Sequence, residues 1–190
     1  KSCLATDRWA VEPLLAAMLT PQPARGSWPR AMARFQQLSA PVAAKSVEDT
    51  GFYRYGRLLS RNDVGFDIET FSLDVDAFHA RMQRRRTEYP HTMLATATHD
   101  HKRGEDLRAR LAVISELAAD WTGFLSRQVE STSSELTPGD LAMLLQMVVG
   151  AWPLDLQRDD RAGRTAFAER LCGWQQKALR EAKLESDWAA

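Results

Sequence analysis

The stretch TMLATATHDHKRGEDLRARL, residues 92–111, decides how this chain is read. Residues 92–98 are rich in Thr and small apolar side chains and too short for a stable helix, so they are expected to form one short strand. His99-Asp100 follows at once, then a charged turn, then an amphipathic stretch with Leu107, Leu111, Ile114 and Leu117 at helical spacing. A carboxylate just past the end of a strand is where an α/β barrel carries catalytic groups. Asp100 could there bind hydroxyls or stabilise developing positive charge, with Lys102 and Arg103 as nearby cations that favour the charged carboxylate. The plainer alternative is a His-Asp turn that caps the next helix.

Outward from this segment the pattern is helical. Asp7 can cap a helix carrying Trp9, Leu14, Leu15 and Met18, broken by Thr20-Pro21-Gln22-Pro23. A second helix starts at Trp28, with Met32, Phe35 and Leu38 on one face and Pro41 as its interruption. Lys45 to Ser60 interleaves charges and aromatics and fits no single period. Ser72 is the expected cap of a helix holding Phe78 and Met82. It ends in Arg84-Arg85-Arg86, cations that suit a helix C-terminus, before Pro90. Downstream lie stripes at Trp121, Phe124, Leu125 and Val129, and at Leu141, Leu144, Leu145 and Val148. A last stripe runs through Phe167, Leu171, Trp174 and Ala178. Thr137-Pro138 is a start signal, with the hydroxyl as N-cap and proline in the first turn, and Gly150 can end that helix.

A lone strand would leave its backbone groups unpaired. Either a second strand hides near Arg57 to Ser60, or the sheet neighbours belong to a longer protein. The chain begins Lys-Ser-Cys without Met, which agrees with an excised piece. The expected fold is therefore mainly α: a helical domain fragment with one or two short strands belonging to an incomplete (β/α)8 barrel. Its expected parts are a helical segment over 1–91 bearing the Lys45–Tyr55 motif, a barrel-type strand over 92–100, and a second helical segment over 101–190.

With 190 residues, 44% of them hydrophobic, the chain can bury one core. Lys and Arg together number 25, as do Asp and Glu, so the net charge of zero argues against a dedicated binder of nucleic acid or anionic membrane. No apolar run approaches a membrane span. Cys3 and Cys172 sit near opposite ends and read as two free thiols, which suits the cytoplasm. His99 and His101, with Asp100, Glu105 and Asp106 nearby, invite a metal reading, but no third ligand stands at a diagnostic spacing and no metal is expected. No Gly-rich phosphate loop or other cofactor signature is present. Arg108 and Arg110 read as solvated helix-face charges, Trp174 as core, and Trp28 and Trp152 as more open aromatics.

Four blocks in order, PVAAKSVEDTGFYRY (41–55), TATHDHKRGEDLRARL (96–111), VVGAWPLDL (148–156) and KALREAKLESDW (177–188), resemble segments of the malto-oligosyltrehalose synthase family of the α-amylase glycoside hydrolase superfamily. The resemblance covers most of residues 28–188. It implies a (β/α)8 barrel with a large helical insertion, and an isomerase of trehalose biosynthesis acting by intramolecular transglycosylation. In this chemistry an aspartate nucleophile forms a glycosyl-enzyme, a glutamate protonates the leaving oxygen, and the freed glucose returns through its anomeric hydroxyl before water attacks.

Carried onto this sequence, the resemblance makes Asp100 the third acidic residue, binding hydroxyls of the sugar beside the scissile bond, with His99 on the same sugar. Lys45, Glu48, Asp49, Tyr53 and Tyr55 become candidates for holding the glucose that turns, with Lys102 and Arg103 behind them. A salt-bridge cluster with two packed tyrosines is the structural alternative for the 45–55 block. The expected partners are a malto-oligosaccharide and the remainder of the parent barrel.

Some positions depart from the family: Ser46 and Gly51 stand where glycine and alanine are more usual, Gly56 where asparagine is, and His101 where threonine is. The Gly-x-Arg-x-Asp pattern of the nucleophile is absent from these residues, as is a matching general acid, so this stretch alone is expected to be inactive. The reading of a different class is a non-catalytic helical module for carbohydrate or protein binding.

Overall fold

The computed structural model describes residues 26–67, 69–132 and 136–186, together with positions 12, 13, 16, 17 and 20. The helix expected after Asp7, the free thiol of Cys3, and most of the 131–135 loop lie outside the described residues. The chain divides into two compact units, Lys1–Ser46 and Val47–Ala190.

The first unit carries α1, Trp28–Ala43. Pro29 sits in its first turn, where the missing N–H costs nothing. Pro41 does not end it, contrary to expectation. Only one bond is lost near the exposed C-terminal end, and the Ala44 N–H resumes the ladder by donating to the Ala40 and Pro41 carbonyls. From there the backbone widens into a π turn, Ala44–Glu48, the form in which such local irregularities are accommodated.

The second unit opens with two 3-10 turns, Gly51–Tyr53 and Leu59–Arg61, and then a helix, α2, Val75–Glu88. Its cap is Asp74, whose carboxylate accepts from the Ala77 N–H at 2.7 Å, and not Ser72. A carboxylate at that place also faces the positive end of the helix.

Residues 92–98 form no strand, and among the described residues there is no strand at all. Met93 is 95% exposed and Leu94 70%. A strand is defined by a neighbour, and no described residue pairs with this stretch in that way. Arg57 to Ser60 is likewise no strand; it runs into the second 3-10 turn.

Beyond the charged turn come α3 (Glu105–Ala112), a 3-10 stretch (Val113–Leu117) and α4 (Ala118–Ser131). Two more helices follow, α5 (Pro138–Ala151) and the longer α6 (Arg161–Ala182). The Thr137 cap holds: its hydroxyl accepts from the Asp140 N–H at 3.2 Å and donates to the Asp140 carboxylate at 2.6 Å. Gly150 falls in the last turn of α5, one residue before its end.

The core sits where α3, α5 and α6 meet. Leu59, Leu111, Met143 and Met147 form its centre, with Leu107, Ile114, Leu171 and Trp174 packed against it. A second cluster, Tyr53, Ala178 and Ala182, also leans on Trp174, so this one indole joins both. Trp174 is thus core, as its stripe predicts. No described helix is long and apolar enough to cross a membrane.

Candidate functional site

His99 and Asp100 stand at the corners of a tight turn. The His101 N–H donates to the Thr98 carbonyl at 3.1 Å, closing it. The Thr98 N–H donates to Nδ1 of His101 at 3.0 Å, so the ring closes the turn a second time, and the Thr98 hydroxyl lies 2.9 Å from the same nitrogen. His101 therefore has a structural part here. Both corner side chains face outward: that of His99 is 92% exposed and that of Asp100 62%, with 3.5 Å between Nε2 and the carboxylate.

The turn is anchored by a residue that sequence reasoning passed over. Asp63, completely buried, lies between the Leu59–Arg61 turn and α3. Its Oδ1 accepts from the N–H groups of Val64 and Lys102, each at 2.8 Å, and its Oδ2 from that of Arg103 at 2.9 Å. Three N–H donors satisfy a charge that burial would otherwise penalise heavily. Its neighbour Asn62, also fully buried, donates through its amide to the carbonyls of Phe52 and Tyr55.

Lys102 and Arg103 turn away from Asp100. The Lys102 ammonium pairs with Asp49, both largely covered, which ties the 45–55 block to the charged turn. Arg103 is buried, and its Nη1 donates to the Asn62 carbonyl at 2.8 Å. Burial lowers its pKa from the usual guanidinium value, with the charges of Asp63 and Tyr53 opposing.

Tyr53 is buried in the second core cluster. Its phenol is pushed up to about 12, mainly by desolvation, with Arg103 acting the other way and Glu181, Asp49 and Asp63 reinforcing the rise. Tyr55 and Glu48 are half-buried. Lys45, exposed on the π turn, belongs to the first unit. The fold therefore brings together Asp49, Tyr53, Lys102 and Arg103 of the predicted set, around Asn62 and Asp63.

Two helix-face charges expected to be solvated are engaged. Arg108 donates to the Thr96 carbonyl and lies over the Phe66 ring, and Arg110 reaches the carbonyls of Gly150 and Trp152. Two hollows, of about 530 and 350 Å³, open beside α2 and α4 and share Leu58, Phe71 and Ser115. None of the predicted site residues lines either one. Among the described residues no three His, Cys, Asp or Glu side chains are grouped to hold a metal ion.

Comparison with known proteins finds similar chains of one name. Two Mycobacterium tuberculosis proteins (strains CDC 1551 / Oshkosh and ATCC 25618 / H37Rv), both named "Putative maltooligosyl trehalose synthase", are each 35% identical to 98% of this chain. The chain is homologous to a segment of maltooligosyl trehalose synthase. The solved structures agree. A crystal structure of maltooligosyl trehalose synthase matches 85% of the chain with a TM-score of 0.72 and 33% identity. One of a hypothetical maltooligosyl trehalose synthase from Sulfolobus tokodaii matches 82% with a TM-score of 0.69 and 33% identity. No family model matches the chain. The chain spans 24% of the length of its curated maltooligosyl trehalose synthase relatives and 21% of the two solved chains. The resemblance read from the four blocks is thus upheld over nearly all of the chain.

Proposed function

We propose that this chain is a segment of a cytoplasmic isomerase that converts the reducing-end α-1,4 link of a malto-oligosaccharide into an α,α-1,1 (trehalosyl) link. The observation that carries the proposal is the 35% identity over 98% of the chain to proteins bearing that name. The segment supplies Asp100, the carboxylate that binds hydroxyls of the sugar beside the scissile bond and stabilises the oxocarbenium-like transition state. His99 contacts the same sugar. Their outward orientation suits groups whose partner is a substrate rather than the protein interior. The nucleophile and general acid come from the remainder of the parent barrel, so the 190 residues alone do not turn over substrate.

Residues 92–98 form no strand within the segment; in the parent barrel they take the place of the seventh strand, paired there by neighbouring strands that the segment does not contain. The exposure of Met93 and Leu94 supports this, because such side chains are ordinarily covered in a sheet. Glu48, Asp49, Tyr53 and Tyr55 belong to the wall that holds the turning glucose. Within it, Tyr53 and Arg103 form the buried backing, and the Lys102–Asp49 pair joins that wall to the Asp100 turn.

The test uses the full-length parent protein with maltopentaose. Reducing ends should disappear with little free glucose. Unchanged reducing power would refute the activity and leave a non-catalytic module, and rapid glucose release would mark a plain hydrolase.

A further inference from the structure

We infer that Asp63 is a positioning residue for Asp100, acting through the main chain of residues 101–103; the inference rests on the reading of Asp100 proposed above. Among the described residues the Asp100 side chain meets His99, itself 92% exposed, which cannot hold it in place. Its location is therefore set by its backbone. On its N-terminal side the Thr98–His101 turn is closed by two hydrogen bonds. On its C-terminal side two consecutive N–H groups, of Lys102 and Arg103, end on the two oxygens of one carboxylate. Gripping consecutive amides fixes both the position and the tilt of their peptide planes, since the backbone between them has only two soft dihedrals.

The clasp is itself rigid. Asp63 is completely buried, and Asn62 beside it is tied to Phe52 and Tyr55. Gln146 of α5 holds Gly56 and Leu59 of the same loop. A continuous polar path thus runs from the centre of α5 through residues 56–63 to the turn bearing Asp100. A carboxylate that must meet a transition state tolerates little displacement: about 1 Å can cost roughly 10²-fold in rate.

The experiment is a double-mutant cycle in the full-length parent enzyme, reading kcat and KM separately. In Asp63→Asn one oxygen becomes an amide that cannot accept, so one clasp N–H loses its partner. The expected result is a kcat lower by about ten- to a hundredfold with KM changed by less than about threefold, as for an interaction expressed in the transition state. In an Asp100→Asn background the same substitution should change the residual kcat by less than about twofold, because its route of action is gone.

A wild-type kcat in a folded Asp63→Asn enzyme overturns the inference, as does a full multiplicative loss on top of Asp100→Asn. Wild-type turnover by Asp100→Asn alone would instead refute the reading of Asp100. Should Asp63→Asn fail to fold, amide hydrogen exchange on the unsubstituted enzyme decides. The Lys102 and Arg103 N–H groups are expected to exchange at least about a hundredfold more slowly than free peptide. Exchange at the free rate would show that no clasp exists.

Discussion

Gln146 and Leu59 are joined across 87 residues of sequence by a buried hydrogen bond: the Leu59 N–H donates to Oε1 at 2.8 Å, while Nε2 donates to the Gly56 carbonyl, also at 2.8 Å. The glutamine lies in the middle of the most apolar helix of the unit, 1% exposed. It satisfies backbone groups of a loop that has no ladder of its own. Gln146→Leu is therefore expected to cost about 2–4 kcal/mol rather than to improve the core, since it strands the Leu59 N–H and the Gly56 carbonyl in an apolar setting. Urea unfolding followed by circular dichroism measures it; an unchanged midpoint would show that the loop finds other partners.

Gly150 and Gly56 should differ in their tolerance of alanine. A Cβ at Gly150 would lie 2.9 Å from Leu107 Cγ and 3.0 Å from Leu111 Cγ, atoms near the roots of packed side chains. Gly150→Ala should cost about 1–3 kcal/mol by overpacking the α3–α5 contact. At Gly56 the obstruction is Met143, at 2.4 Å from Cγ and 3.0 Å from Sδ, a flexible chain that can re-route. Gly56→Ala with Met143→Leu should then recover stability lost by Gly56→Ala alone. Asparagine at position 56 would likewise need Met143 to move.

Alkaline stability should depend on Tyr53. Its folded pKa, pushed up to about 12, lies above the ordinary phenol value of 10.0. Between these values the unfolded chain releases the phenolic proton and the folded chain keeps it, so unfolding is favoured as pH rises. The contribution is whole below pH 10 and is lost progressively as pH climbs towards 12. Tyr53→Phe should flatten this arm of the stability-versus-pH curve. An identical alkaline slope in the variant would show that the phenol is not the group responsible.

Asp100→Asn should separate activity from stability. Its side chain is 62% exposed and caps no helix, since the N-cap of α3 is Gly104, with no side-chain bond. The thermal midpoint should move by no more than about 0.5 kcal/mol's worth, as is usual for exposed positions away from such features. Turnover in the parent enzyme should fall steeply. A large loss of stability would mean that the carboxylate is a structural clasp after all.

The helices were legible because each repeats an apolar stripe every three or four residues and several begin with a recognisable cap. The Thr137-Pro138 start of α5 and the Trp174 stripe of α6 needed no tertiary information. The 51–66 loop was not legible, because Asn62, Asp63 and Gln146 are polar side chains that a pattern-based reading assigns to solvent. Short-range spacing carries no trace of an Asp63 clasp formed with amides 39 and 40 residues away. The strand read from TMLATAT does not form within the segment, for the same reason in reverse: composition favours extended backbone, but a strand exists only beside another.

By itself, then, the sequence determined the helical segments, the likeness to one enzyme family, and the candidacy of His99 and Asp100. Only the tertiary structure decided which of two neighbouring carboxylates is buried and which faces out. Asp63 and Asp100 are the same residue type, and burial of such a charge depends on whether distant backbone N–H groups arrive to replace water. Two distant ones, of Lys102 and Arg103, arrive at Asp63 beside that of its neighbour Val64, while the Asp100 side chain stays open to solvent.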